Sequence, residues 1–355
     1  MVDLRTRVFK TGLETLYYTK AHHVMAALWQ CSGAIFNLHH IHPRADGDQD
    51  SRFNPNGPLS ITDGFLDEVL GYLEEENFDL VSVGEAVARL KKNDRSSRFA
   101  AFSIDDGYKD NFDYAWPVFK QHRCPFTVFV TTDIIDGKAC LWWLVVEQAI
   151  KDHEMIEIDL ADALVRFDTS SLEKKKQCWE AIYWPLRGSN EARLRQTVTR
   201  LAQRYNIDTN ALCRSLAMTW DDVRTLNEDG LVTIGAHTVS HPCLKEISSE
   251  QVRYEMTESR ARIAREIGEE PEFFCYPYGD ETTAGQREFF LAKDVGFAAA
   301  VTTRKGMIYE EHREHLFALP RISLNGSYQQ IKYIDLYMSG APFFLYNKFN
   351  KVNAA

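Results

Sequence analysis

"FSIDDGYKDN", residues 102–111, ends a hydrophobic run in two adjacent carboxylates, a glycine and a tyrosine. Read as a strand, Phe102–Ile104 delivers Asp105 and Asp106 to its carboxyl end, where barrels of alternating strands and helices keep their active sites. Two ionised aspartates held together repel each other, so a fold that keeps them adjacent supplies a cation, a proton or open solvent. An Asp-Asp-Gly turn wetted by water is the plain alternative.

Outward from this stretch, strand-like and helix-like pieces alternate from Ile35 to about Gly137. "AIFNLH", "FDLVSV", "RFAAFSI" and "PFTVFVT" read as strands; "ITDGFLDEVLGYLEEEN", capped by Thr62 or Asp63, and "YKDNFDYAWPVFKQH" read as helices. Such alternation argues for a parallel sheet or an α/β barrel. Residues 140 to about 215 read as a charged helical insertion. Ser170 and Glu173 have capping-box spacing there, and "NEARLRQTVTRLAQRY" is amphipathic. The α/β rhythm resumes with "LVTIGA", a Glu- and Arg-rich helix from Ser249, then "EFFCY", "GFAAAVTT" and "ALPRIS". The chain thus divides into a helical segment over 1–34, a barrel over 35–330 that carries the insertion, and a tail over 331–355.

The chain has 355 residues, 45% of them hydrophobic, enough to bury a barrel-sized core. A net charge of -10 argues against a sequence-independent grip on nucleic acid, which needs a basic face. Seven scattered cysteines without a CxxC pair read as free thiols in a reducing compartment, which makes a cytoplasmic protein the expectation. No run is long and apolar enough to span a bilayer. The opening segment, with Leu13, Leu16, Val24 and several basic residues, reads as a helix that either packs on its own domain or lies on the inner membrane face.

Two further strand ends carry reactive groups. In "LVTIGAHTVSHPCL" Gly230 reads as a left-handed helix cap, residues 231–236 as a buried strand, and His237 and His241 follow it. The two imidazoles face the same way if the backbone turns helically there, which suits a metal needing two nitrogen ligands. In "EFFCYPYGD" a rigid turn after Pro277 aims the Tyr278 N–H at a developing oxyanion.

"SIDDG", "HTVSH" and "YPYG", in that order, resemble the signature motifs of the polysaccharide deacetylases, the NodB-homology or carbohydrate esterase family 4 enzymes. The resemblance covers roughly residues 35–325. It implies an irregular (β/α) barrel of the NodB type with a helical insertion, and a hydrolase acting on a linear amide bond. By the same likeness Asp105 is the general base, while Asp106, His237 and His241 hold one divalent metal. Zinc is the leading candidate, with cobalt, nickel or manganese compatible. Tyr278 would bind substrate and stabilise the oxyanion. The implied substrate is an N-acetylated sugar, polysaccharide or glycoconjugate precursor. Alternatives are a non-carbohydrate amide or ester handled by the same fold, or a non-catalytic sugar-binding protein with a vestigial site.

Two departures from the family pattern stand out. Cys275 occupies the place of the arginine that usually pairs with the base, and Arg321 in "LPRIS" is the candidate replacement. The late Leu-x-His motif that supplies the general acid is missing. A branch that includes poly-N-acetylglucosamine deacetylases instead has that histidine near the amino terminus, which makes His39 in "IFNLHHIHP" the candidate and sends His40 to the opposite face. Trp142 and Trp143 in "CLWWLVVE" offer indoles on which a sugar would stack, or pack in the core.

Overall fold

The computed structural model describes residues 4–28, 31–43, 53–161 and 163–354. Its strands, in chain order, are β1 (Gly33–Leu38), β2 (His40–His42), β3 (Ser60–Thr62), β4 (Asp79–Val81), β5 (Phe99–Asp106), β6 (Phe126–Val130), β7 (Met155–Leu160), β8 (Ala163–Asp168), β9 (Val232–Ala236), β10 (Phe273–Cys275), β11 (Ala299–Lys305) and β12 (Leu319–Ser323). Seven of them form a parallel ring in the order β1-β12-β11-β10-β9-β6-β5, closed by β5 against β1 with Ala34 opposite Ala100 and Leu38 opposite Ile104. The fold is the expected irregular (β/α) barrel. β4 stays outside the ring, paired with Phe99–Ala101 of β5 before β6 takes over at Phe102. β2 and β3 make a small separate pair.

Strand side chains point alternately to opposite faces, and in this ring the alternation builds a polarity gradient. Ile35, Ala101, Phe129, Phe273, Val301 and Leu319 cluster within the ring, and the helix Val83–Lys92 closes its amino end with Val83, Ala86, Val87 and Leu90. The other set, including Phe36, Phe102, Ile104, Val128, Phe274 and Ile322, packs outward beneath the surrounding helices. Along the interior face, Ser103 and Asp105 follow Ala101, Cys275 follows Phe273, and Arg321 follows Leu319. The lumen therefore turns from apolar to polar toward the carboxyl ends of the strands. Gly235 is required at this level, because a Cβ there would meet the Phe129 ring at 2.4 Å.

The insertion departs from the all-helical expectation. Helices Trp142–Asp152, Leu172–Arg187, Glu191–Arg204 and Thr209–Leu216 are joined by the antiparallel hairpin β7–β8, with Ile158 opposite Val165. The cap of the helix Leu172–Arg187 also shifts by one residue: Ser171, not Ser170, accepts from Lys174 N. The insertion has its own core, built on Trp142, Val146, Ile150, Ile156, Ile158, Trp179, Ile182, Leu194 and Val198, with Tyr108 of the first motif joining it from the barrel. Thr62 caps the helix Asp63–Glu75.

The two ends of the chain meet. Leu13 of the helix Leu4–Tyr18 is buried in the main core, and Glu14 pairs with Lys332 of the helix Ile331–Met338 at 3.2 Å. His22 lies 3.2 Å from Asp335, whereas Val24 is exposed. Among the described residues no helix is long and apolar enough to cross a membrane.

Candidate active site

Strand alternation should send Asp105 and Asp106 to opposite faces. The backbone overrides it: Asp106 adopts a left-handed conformation with φ 77°, which returns its carboxylate to the lumen side beside that of Asp105. Aspartate tolerates this region better than most residues, and Gly107 at φ 92° completes the turn. Thr238, His241 and Tyr278 also have positive φ, at 69°, 56° and 61°. Each of the three motifs thus stores backbone strain, a pattern that clusters at functional sites.

Asp105 is 1% exposed and gripped by Arg321, a residue inside β12 rather than after it. Arg321 Nη1 donates to Oδ1 at 2.7 Å and Nη2 to Oδ2 at 2.7 Å, a two-point fork. The same guanidinium donates to Ser103 Oγ, Thr302 O and the Cys275 sulfur, so none of its three nitrogens is idle. Burial alone pushes the Asp105 carboxyl up; the Arg321 charge and hydrogen bonds outweigh it and hold the group below the usual carboxylate range.

Asp106, His237 and His241 form a buried triad. Each imidazole Nε2 lies 3.4 Å from Asp106 Oδ1, and that oxygen has no hydrogen-bond partner among the described residues. A separation of 3.4 Å is long for a charge-assisted hydrogen bond. It matches two donor atoms of one tetrahedral zinc, which at about 2.0–2.1 Å from the ion lie roughly 3.3–3.4 Å apart. The donor set fits a divalent metal. His237 Nδ1 donates to Cys275 O at 2.7 Å, which fixes the ring and turns Nε2 toward Asp106; burial lowers its pKa, but Cys275 and Asp106 outweigh it and hold the metal-free imidazole well above its usual range. Burial drives His241 down to about 3, against the pull of Asp106, so it is the neutral imidazole that a ligand must be.

No helical turn brings the two histidines together, contrary to the sequence expectation, and the preceding helix ends at Glu228 in right-handed geometry without a left-handed Gly230. Tethers do the work instead. Thr131 Oγ1 donates to His237 O at 2.9 Å. Glu255, on the inner face of the helix Ser249–Ile267, accepts from Val239 N, Ser240 N and Ser240 Oγ. From the insertion, Arg195 donates to Ser240 O at 2.8 Å, and Glu191 accepts from Cys243 N at 3.1 Å. Sequence reasoning missed these residues. The signal available was Glu255 itself, a carboxylate sharing the buried stripe of Val252, Met256, Ser259 and Ile263.

At the third motif, Thr303 Oγ1 bonds the Tyr278 carbonyl, while the Tyr278 N–H has no partner among the described residues. The phenol accepts from Trp142 Nε1 at 2.8 Å, its ring packs edge-on to His241 at 4.9 Å, and Arg187 covers it at 4.1 Å while pairing with Asp280. Trp142 is 2% exposed and stacked on Tyr183, and Trp143 is 9% exposed and packed edge-on to His241. Neither presents an open indole face, so the sugar-platform expectation gives way to packing for both.

His39 lies just beyond β1 with Nε2 3.9 Å from Asp105 Oδ2, and Asn111 Nδ2 holds its carbonyl at 2.8 Å. Burial lowers its pKa, partly offset by the Asp105 and Asp106 carboxylates. His40 turns the other way, onto Asp110 at 2.7 Å and the Tyr108 ring at 3.9 Å. Tyr108, Asp110 and Asn111 thus complete the role of the opening stretch.

A polysaccharide deacetylase family model matches residues 167–299, which include His237, His241 and Tyr278 but not the aspartate pair. No curated protein is similar enough in sequence to count as a relative. Among solved structures, the Streptococcus pyogenes deacetylase PplD in complex with acetate is 16% identical with a TM-score of 0.56, over 85% of this chain and 96% of that one. A de-N-acetylase from Aggregatibacter actinomycetemcomitans is 14% identical with a TM-score of 0.54, over 86% and 99%. IcaB from Ammonifex degensii is 14% identical with a TM-score of 0.53, over 88% and 98%.

Proposed function

We propose that this chain is a polysaccharide deacetylase, a metal-dependent hydrolase that removes N-acetyl groups from a sugar, polysaccharide or glycoconjugate precursor. The observation that carries the reading is the buried Asp106 Oδ1, unpaired and 3.4 Å from two imidazole nitrogens, beside a second carboxylate that has a cation of its own. Asp106, His237 and His241 would hold a divalent ion, zinc foremost, which would supply positive charge to acidify water and polarise the amide carbonyl.

The chain's own groups divide the remaining work. Asp105 takes the proton from the attacking water; Arg321 keeps it ionised and fixes its rotamer. The free Tyr278 N–H stabilises the charge growing on the carbonyl oxygen. His39, 3.9 Å from Asp105, receives the proton that Asp105 took from water and passes it to the leaving nitrogen. The C–N bond breaks, and acetate and a free amine leave. Free thiols at all seven cysteines agree with a reducing compartment and a substrate made in the cytoplasm.

The test is acetate release from N-acetylated sugars, nucleotide sugars and lipid-linked glycans, with metal content measured on the same protein. We expect near one ion per chain and release that stops on chelation and returns with zinc. Full activity in metal-free protein, or stoichiometric metal with no release from any of these classes, would overturn the reading.

A further inference from the structure

Residues 346–353 and Glu281, on the turn that follows Tyr278, line a cleft of about 340 Å³. Its volume falls in the range of small-ligand sites, about 300–1,000 Å³. The tail is pinned to the end of β11 and to the turn after β10 that carries Tyr278. Asn347 Nδ2 donates to Lys305 O at the end of β11, Asn353 Nδ2 donates to Glu281 Oε1 at 2.7 Å, and Arg304 Nη1 donates to Asn353 O at 2.9 Å. Glu281 follows Tyr278 by three residues, so their Cα atoms are at most about 11 Å apart.

The lining is chemically selective. One carboxylate and one ammonium balance, so it attracts neither an anion nor a cation strongly. Asn350 offers a donor pair and an acceptor, and Asn347 and Asn353, each with one amide hydrogen already given to the fold, add a second hydrogen and a carbonyl oxygen apiece, the complement of a neutral polyhydroxyl ligand. Tyr346 is half-exposed; Lys305 Nζ sits 5.2 Å over its ring, and the part of the ring left open suits the apolar face of a sugar. The turn that shapes this edge holds Lys348 and Phe349 at φ 51° and 69°, two successive left-handed residues without a glycine. Such a turn is costly for side-chain-bearing residues.

We propose that this cleft is an accessory subsite for a neighbouring sugar unit of the glycan whose N-acetyl group lies at the metal, with Tyr346 as stacking platform. The proposal rests on the deacetylase reading above. N-acetylglucosamine and its β-1,4- and β-1,6-linked tetramers serve as probes, with acetate release measured for the wild type, Tyr346→Ala and Asn350→Ala. Tyr346→Ala raises the KM for a tetramer about tenfold and Asn350→Ala less, while tetramer kcat and monomer kcat/KM stay unchanged. Tetramer binding to the Asp105→Asn protein weakens by the same factor when Tyr346→Ala is added. Release from tetramers with unchanged KM in both variants, or equal losses on monomer and tetramer, overturns the subsite alone. Metal-loaded wild type that releases acetate from none of the probes overturns the deacetylase reading for these sugars and the subsite with it.

Discussion

Asp105, Asp106, His237, His241, Tyr278 and Arg321 stand on barrel strands or the turns that follow them, whereas Trp142, Arg187, Glu191 and Arg195, which brace those turns, stand on the insertion. The barrel's contribution is a short-range set of charged and ligating atoms. The insertion's is a separately packed body pressed against the second and third motifs, with its own core. Chemistry and restraint have different addresses in this fold, and substitutions on each side should fail differently.

The largest effect is expected on the barrel side. His237→Ala removes one of the three proposed ligands, so metal content and turnover should both collapse; elemental analysis showing full occupancy would refute the ligand assignment. Asp105→Asn should keep the metal and lose turnover by ~10²- to 10⁴-fold, the usual range for a general base. If it also loses metal, the two aspartates do not divide their labour.

Arg321→Ala comes next. Removing one partner of a buried ion pair costs roughly 3–5 kcal/mol, so the unfolding midpoint in denaturant should fall measurably. Turnover should drop with metal content unchanged. Because a nearby positive charge lowers a carboxyl pKa, its loss raises that of Asp105, and the acidic limb of the pH-rate profile moves to higher pH. Lysine at this position should rescue poorly, since it replaces a planar fork with a point charge. An unmoved acidic limb would separate Arg321 from the base.

The smallest effect sharpens the comparison most. Trp142→Phe deletes the hydrogen bond to the Tyr278 phenol while preserving an aromatic ring; at about 0.5–1.5 kcal/mol per hydrogen bond, kcat should fall by roughly two- to tenfold. Metal content should hold. Metal loss in Trp142→Phe comparable to that in His237→Ala would erase the distinction between restraint and ligation.

All seven ring strands are legible in the sequence, because a strand buried on both faces writes an unbroken apolar run such as "RFAAFSI" or "PFTVFV". The hairpin β7–β8 was also written, in the alternation of Ile156 and Ile158 with Glu157 and Asp159, but six residues of period two are easily absorbed into flanking charged helices. The left-handed turns at Asp106, Thr238 and His241 left no such trace: their side chains carry the chemistry, and only the folded backbone reveals how alternation is undone. Tethers such as Glu255 and Arg195 are ordinary charged residues on amphipathic helices until a partner loop is placed beside them.

The last ring strand has a consequence for how the chain is made. Arg321 lies 216 residues after Asp105, and β12 is also the strand that joins β11 to β1. During synthesis from the amino end, Asp105 therefore emerges long before its guanidinium partner exists, and the seam beside β1 stays open until residues 319–323 emerge. Pairings of such long range are slow to form. Docking of this strand closes the ring and neutralises the lumen in one event, so a chain halted before Leu319 should be both open-edged and acidic at its centre.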